Sequence, residues 1–513
     1  MMNYSIRTAK EFGAADMLLV LIFEDKGLDV LSKHVDQHFK GLLSEVIKSK
    51  DFEAKRRQIS LLYTGHKDNP RVLLLGLGKF SEFDIKMWKQ VIGIGVVQAQ
   101  AKKAKRISLV LPAVVLTKFG SKVTASETVT GLEISHYAYD EHKEEKSKTA
   151  RISLCEFVGV AASQKRSFEQ GIEEGIKMGE GINFVRQLGN IPPSDLSPER
   201  LAEQAELLAA GDKSIQVKIL SFPEIQKLGM GCFLGVASGS QHEPKFIIAE
   251  YWGAEKNKKN LSRDSDGVYQ PYDGGKPTVL VGKGITYDSG GITLKPMDYL
   301  TGMKYDMLGA ASVMGIVKIA AALGIKKNIV ALAPTCENMP GGSAYRPDDV
   351  LRAMNGKTVE VKNTDAEGRL ILADALCYAK KYKPREVIDL ATLTGACLVA
   401  IGLDRTGIFS LQEKMAKKVI ACGEEVGEDL WFLPMGEEFS DGLKSEVADI
   451  SNISPSRYGG ASVGAAFLQF FVDFPWVHID MASSGFAQQS PKPWLHPGTS
   501  GAIVQTMIKY LRT

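Results

Sequence analysis

The chain has 513 residues, is 44% hydrophobic and 24% charged, and carries a formal net charge of +3. This length admits two or more domains with sizeable cores, and the composition is that of an ordinary globular protein rather than a fibrous or disordered one. So small a surplus of positive charge argues against a nucleic-acid or acidic-membrane partner held by bulk electrostatics.

In chain order, the first third alternates strand-like and helix-like segments. Met17–Phe23, Ile59–Tyr63, Val72–Leu75 and Ile107–Leu111 read as buried strands, and the stretch from Asp84 to Lys102 reads as a helix. Gly76-Leu-Gly78 follows a strand like half of a dinucleotide fingerprint, but it lacks the third glycine and a downstream ribose-binding acid. A plain strand-to-helix turn is the better reading. Two basic clusters, at 102–106 and 143–151, read as solvated faces, the second interrupted by Glu144 and Glu145. A long linking helix is expected over 166–190, followed by Ser197 as N-cap and Pro198 at the first helical position. The predicted organisation is a smaller N-terminal α/β domain (1–165), the linking helix, and a larger catalytic domain (191–513).

Strands then recur at Ile215–Leu220, Lys245–Tyr251, Thr278–Val281, Ile329–Ala333, Glu386–Leu390 and Trp476–Asp480, with Ala- and Gly-rich helices between them. The fold class expected is α/β, with a mostly parallel central sheet covered by helices on both faces. The polar, Gly-rich segment 254–276 reads as an exposed, mobile loop. The six cysteines are scattered without a Cys-x-x-Cys pair, which suits free buried thiols and a reducing, cytoplasmic setting. Neither a signal pattern at the N-terminus nor an uncharged apolar run of about 18 residues is expected to direct the chain to a membrane.

The chemistry concentrates in Asn363-Thr-Asp-Ala-Glu-Gly-Arg-Leu370, where a strand-like segment (Thr358–Val361) gives way to a helical one. On a turning backbone Asp365 and Glu367 can converge on one object, whereas an isolated Asp-x-Glu is more often a helix start. Four further residues change the balance. After the strand at 278–281 comes Gly282-Lys283-Gly284-Ile-Thr-Tyr-Asp288-Ser-Gly290-Gly291-Ile-Thr-Leu-Lys295, whose glycines allow a tight fold and whose lysine comes too early for a P-loop. Asp306 follows. Four carboxylates cannot share a small site in ionised form without cations, and two divalent ions would neutralise them. The expected catalytic domain (191–513) has only His242, His478 and His496, with no His-Glu-x-x-His pair. Such a site is therefore oxygen-rich, with at most one lysine nitrogen. His478, inside an apparent strand, reads as a core histidine, and Asp374 and Asp389 read as structural acids.

These segments, with Met303-Lys-Tyr-Asp-Met307 and Thr392-Leu-Thr-Gly395, resemble the leucyl aminopeptidase (cytosol aminopeptidase) family in order through roughly residues 185–490. The resemblance implies two divalent ions, zinc, manganese or magnesium. Lys283, Asp288, Asp306 and Glu367 would hold one, and Asp288, Asp365 and Glu367 the more exchangeable other. It implies removal of the N-terminal residue of a peptide by a metal-bridging hydroxide, with Lys295 on the developing oxyanion and bicarbonate seated on Arg369. An ordinary surface lysine, and an arginine paired with Glu367 or Asp365, are the plain alternatives for those two. Met303, Thr392, Gly395 and Ala482 would line a pocket for a bulky apolar side chain. Leu308 and the segment Asp480-Met-Ala-Ser-Ser484 depart from the family pattern nearby. A homohexamer is implied by analogy. An architectural DNA-binding role for the N-terminal domain, or a cysteinyl-glycine-type dipeptidase, are the alternative functions.

Overall fold

A computed structural model describes residues 2–7, 12–144, 151–254, 262–263, 269–270, 275–485 and 492–513. It divides into two compact units, Met1–Asn183 with Pro491–Pro497, and Phe184–Ser490 with Gly498–Thr513. The helix read at 166–190 runs from Lys165 to Asn190, and the units divide within it.

The first unit is built on a six-stranded sheet in the order Asn3–Arg7, Leu154–Val158, Arg106–Val110, Met17–Ile22, Arg71–Gly76, Ile59–Tyr63. All neighbours are parallel except the last pair. Met17–Ile22 is buried along its whole length, because helices cover both faces of a parallel sheet and each side chain of a central strand meets apolar neighbours. The helix Ile85–Ala101 starts where Asp84 accepts a hydrogen bond from the Met87 amide at 2.7 Å. Two strands escaped the sequence reading. Asn3–Arg7 is a half-exposed edge strand without clear alternation, and Leu154–Val158 carries Glu156 in its middle. Lys102, Lys103, Lys105 and Arg106 lie exposed around the turn that enters the strand Arg106–Val110.

The second unit holds a nine-stranded mixed sheet. Its order is Leu430–Phe432, Thr406–Phe409, Trp476–Asp480, Glu386–Ala391, Thr278–Gly282, Asn328–Asn338, Lys245–Trp252, Ile215–Leu220, with Gly284–Asp288 also paired to Asn328–Asn338. The central strands are parallel, and antiparallel neighbours flank them. Gly284–Asp288 was expected as loop; its pairing to Asn328–Asn338 overrides the poor strand propensity of its glycine. Ser262–Arg263 and Tyr269–Gln270 pair antiparallel, while most of the segment expected as a mobile loop at 254–276 lies outside the described residues. One helical stretch, Met303–Ala322, is long and apolar enough to pass for a membrane span, although it carries Lys304, Asp306 and Lys318 and is no uncharged run. Its most apolar window is 83% buried, so it is a core helix. None of the six cysteines is paired, and five are buried.

Asp374, on the helix Glu367–Ala379, is fully buried and accepts the Phe233 amide at 2.8 Å and the Met354 amide at 2.7 Å. It ties that helix to the start of the helix Gly231–Ala237. Burial pushes its carboxyl up to about 7 against the pull of these donors. Asp374→Asn turns an amide NH2 towards one of the backbone donors. We expect a loss of about 1.5–3 kcal/mol, read as a lower denaturation midpoint in urea at unchanged m-value.

Candidate active site

The site forms at the carboxyl ends of the parallel strands. The strand Thr278–Gly282 delivers Lys283, and Gly284–Asp288 ends on Asp288. Gly282 and Gly284 serve close approach rather than unusual backbone angles: a Cβ on Gly282 would stand 2.4 Å from the Gly309 carbonyl oxygen, and one on Gly284 2.6 Å from that of Pro334. Gly290 (φ +88°) and Gly291 (φ +66°) make the turn that brings Lys295 back over Asp288. Asp306 sits in the 3-10 segment Met303–Met307, ahead of the core helix Leu308–Ala322. Glu367 opens the helix Glu367–Ala379, where the positive end of the dipole favours an acid. Ala366 at the cap makes no side-chain capping bond, and neither acid serves as an N-cap.

Two lysines each clamp two acids. Lys283 Nζ is 2.8 Å from Asp306 Oδ2 and 2.8 Å from Glu367 Oε1, and donates to the Thr392 carbonyl at 2.9 Å. Lys295 Nζ is 2.8 Å from Asp288 Oδ2 and 2.5 Å from Asp365 Oδ1. Lys295 is thus no ordinary surface lysine. Four carboxylates against two ammonium groups leave a formal charge of −2 in a largely buried site. The electrostatics follow. Burial works to lower Lys283, but Asp306, Glu367 and Asp288 outweigh it and hold the ammonium above its usual range. A depressed lysine, as expected for a ligand, needs a cation beside it. Burial raises Asp306 well above the carboxylate range and also raises Asp288. Asp365 is pushed up to about 6 by burial, with Glu367 and Asp288 adding to it. Burial pushes Glu367 the same way, yet Lys283 and Lys295 hold it below its ordinary value.

Oxygens of Asp288, Asp365 and Glu367 all lie within 4.8 Å of one another, and Glu367 Oε2 is buried without a hydrogen-bond partner. A net negative, oxygen-rich cluster with an orphaned buried carboxylate oxygen fits a divalent cation. Arg369 is buried, donates from one terminal nitrogen to the Asn452 carbonyl at 2.8 Å, and has an unpartnered Nε. It forms no ion pair with Glu367 or Asp365 among the described residues, and burial pulls it down to about 10.

Four residues to which sequence reasoning gave no role hold the acids and the segments beside them in register. Asn338 donates to Asp288 Oδ1 at 2.8 Å and to the Thr364 carbonyl at 3.0 Å. The Tyr345 hydroxyl donates to that same carbonyl at 2.7 Å, and Thr364 Oγ1 donates to the Gly290 carbonyl at 2.6 Å. Asp480 accepts from the Leu393 amide at 3.1 Å and from Thr394 Oγ1 at 2.7 Å, anchoring Thr392–Gly395. Only Thr364, inside the acid motif, carried a sequence signal.

Of the residues expected to bind substrate, Thr392 belongs to the cluster itself, since its Oγ1 donates to Asp306 Oδ1 at 2.8 Å. Met303 is half-buried at the start of the Asp306 turn. Gly395 is exposed, and a Cβ there would meet nothing within 4 Å. Ala482 is buried just after Asp480, whose Oδ1 accepts its amide at 3.1 Å. Leu308 is a core residue packed towards Gly189 and Gly485. His478 is fully buried, its Nδ1 2.6 Å from Asp389 Oδ1, and Asp389 also accepts from Trp476 Nε1 at 2.6 Å. His478 is a core histidine.

A buried acid–lysine cluster at the carboxyl ends of parallel strands is where open α/β folds carry active sites, and it defines the class: a two-domain α/β enzyme. Residues 183–508 match the catalytic-domain model of the cytosol aminopeptidase family, and residues 19–146 match its N-terminal-domain model. The chain is 37% identical to a probable cytosol aminopeptidase of Roseiflexus castenholzii, covering 97% of this chain and 96% of the relative. Among solved structures it resembles a tomato leucine aminopeptidase variant (TM-score 0.87, 30% identity, 100% of this chain and 96% of the other). It also resembles the bottromycin maturation enzyme BotP in complex with Mn (TM-score 0.80, 27% identity, 97% and 99%). The chain belongs to the cytosol aminopeptidase family, whose members are hydrolases acting on peptides.

Proposed function

We propose that this protein is a divalent-metal-dependent aminopeptidase of the cytoplasm that releases bulky apolar, leucine-like N-terminal residues. The observation that carries this reading is the buried acid cluster of net charge −2, with Glu367 Oε2 left without a partner. Lys283, Asp288, Asp306 and Glu367 would hold one ion, and Asp288, Asp365 and Glu367 a second, more exchangeable one. Zinc or manganese suits such a set, with magnesium tolerated among the oxygens, and the manganese in the BotP complex supports the choice. When bound, the ions supply Lewis acidity and a water made acidic enough to attack a peptide carbonyl.

The chain's own groups do the rest. Lys295 carries an ammonium beside Asp288 and Asp365, ready to meet the negative charge that develops on the carbonyl oxygen. Arg369, with its unpartnered Nε, is the seat for a small anion such as bicarbonate, whose chemistry is that of a general base. Met303, Gly395 and Ala482 border the substrate side chain, with Thr392 holding Asp306 in place. A homohexamer is the assembly proposed, by analogy with the family.

Hydrolysis of a leucine anilide tests this. It should be lost after chelation and dialysis, and return on addition of Zn²⁺ or Mn²⁺. Full turnover by exhaustively chelated protein would refute metal dependence. Faster cleavage of an arginine or glutamate anilide would refute the apolar preference.

A further inference from the structure

Three of the chain's eight histidines gather in the first unit, away from any role in the acid cluster. His34 and His38 are four residues apart on the helix Val30–His38, so they share one face one turn apart. His66 lies on the connection between the strands Ile59–Tyr63 and Arg71–Gly76. Its amide donates to Thr64 Oγ1 at 3.0 Å, and the residue before it, Gly65, has φ +69°. That turn sets the His66 ring 4.9 Å from the His38 ring, centre to centre.

This spacing has a chemical meaning. Two imidazoles sharing one ion at about 2.0–2.1 Å, with a ligand angle of about 90–110°, hold their ring centres about 4.5–5.2 Å apart. Phe12 and Phe39 wall the cluster. Phe12 stands edge-on to His38 at 5.0 Å, and Phe39 stands edge-on to His38 at 4.8 Å and to His66 at 5.9 Å. Aromatic edges at these distances hold the rings in place without occupying their nitrogens. Among the described residues no hydrogen bond is made by a ring nitrogen of His34, His38 or His66, which leaves those lone pairs available. The side chains of His38 and His66 are exposed and that of His34, one helical turn away, is half-exposed, so an ion reaches them from solvent.

We propose that His38 and His66, completed by His34, form a binding site for a divalent transition ion of the imidazole-preferring kind, Zn²⁺, Ni²⁺ or Cu²⁺. It differs in chemistry from the carboxylate cluster: nitrogen donors select these ions over Mn²⁺ and Mg²⁺, which oxygen donors accept. The open positions would carry water, making the ion exchangeable.

Calorimetric titration of Zn²⁺ into full-length protein already saturated with Mn²⁺ tests the site. One Zn²⁺ binding event per chain should persist in Glu367→Ala. It should weaken by at least about tenfold in His38→Gln and in His66→Gln. Both positions are exposed, so the variants should keep the wild-type melting temperature and peptidase activity. Zn²⁺ binding that is unchanged in either histidine variant would overturn the proposal. So would the absence of any Zn²⁺ event in Glu367→Ala, where displacement of Mn²⁺ from the acid cluster contributes least, or in Mn²⁺-saturated wild type.

Discussion

Replacing Glu367 by alanine should reduce leucine-anilide turnover by about 100-fold or more, because a carboxylate bridging two ions supports both of them. The argument rests on where Glu367 sits. It is buried at the first position of its helix, with Oε1 on Lys283 and Oε2 free to take a ligand. Without it Lys283 keeps Asp306 as its ion-pair partner and the Thr392 carbonyl as an acceptor, and the formal charge of the cluster goes from −2 to −1. Glu367→Gln keeps the shape and loses the charge, so it should be nearly as impaired. Cavity effects are then separated from charge effects, provided both variants melt near the wild-type temperature. Unimpaired turnover in Glu367→Gln would show that the residue merely fills space.

Lys295→Met should lower kcat by about 10²–10³-fold with little change in KM, the signature of a group acting mainly on charge that develops in the transition state. The competing role is visible in the geometry, since Lys295 already separates Asp288 from Asp365. Metal content distinguishes the two roles. If Lys295 serves the oxyanion, removing a competing ammonium leaves metal binding intact or tighter while kcat falls. A loss of metal parallel to the loss of rate would make Lys295 a spacer for the acids instead.

Much of this site was legible because its residues fall in short contiguous runs. Asp365, Glu367 and Arg369 lie within five positions, and Lys283, Asp288 and Lys295 within thirteen. The structure brings all four acids and both lysines together. What escaped the sequence depends on contacts between distant segments. Asn338 matters because the strand Asn328–Asn338 runs past the site to Asp288, and nothing near Asn338 in sequence announces that pairing. Tyr345 and Asp480 likewise act on backbone groups of other segments. The fold was read best where strands are buried on both faces, as at Met17–Ile22 and Trp476–Asp480. It was read worst at short or polar strands, such as Asn3–Arg7 and Leu430–Phe432, which owe their conformation to a neighbour rather than to an apolar run. Thr392 shows a subtler limit: proximity to the site was legible, but its bond to Asp306 makes it part of the acid cluster's support.

The most direct test of the central claim is the metal content of wild-type protein after saturation with Mn²⁺ or Zn²⁺ in the presence of excess free histidine, which competes for imidazole-type sites, and rapid desalting. Two ions per chain bound through the carboxylate cluster are predicted, falling below one in Glu367→Ala in step with activity. Wild-type protein that retains no ion yet cleaves leucine anilide at full rate would contradict it.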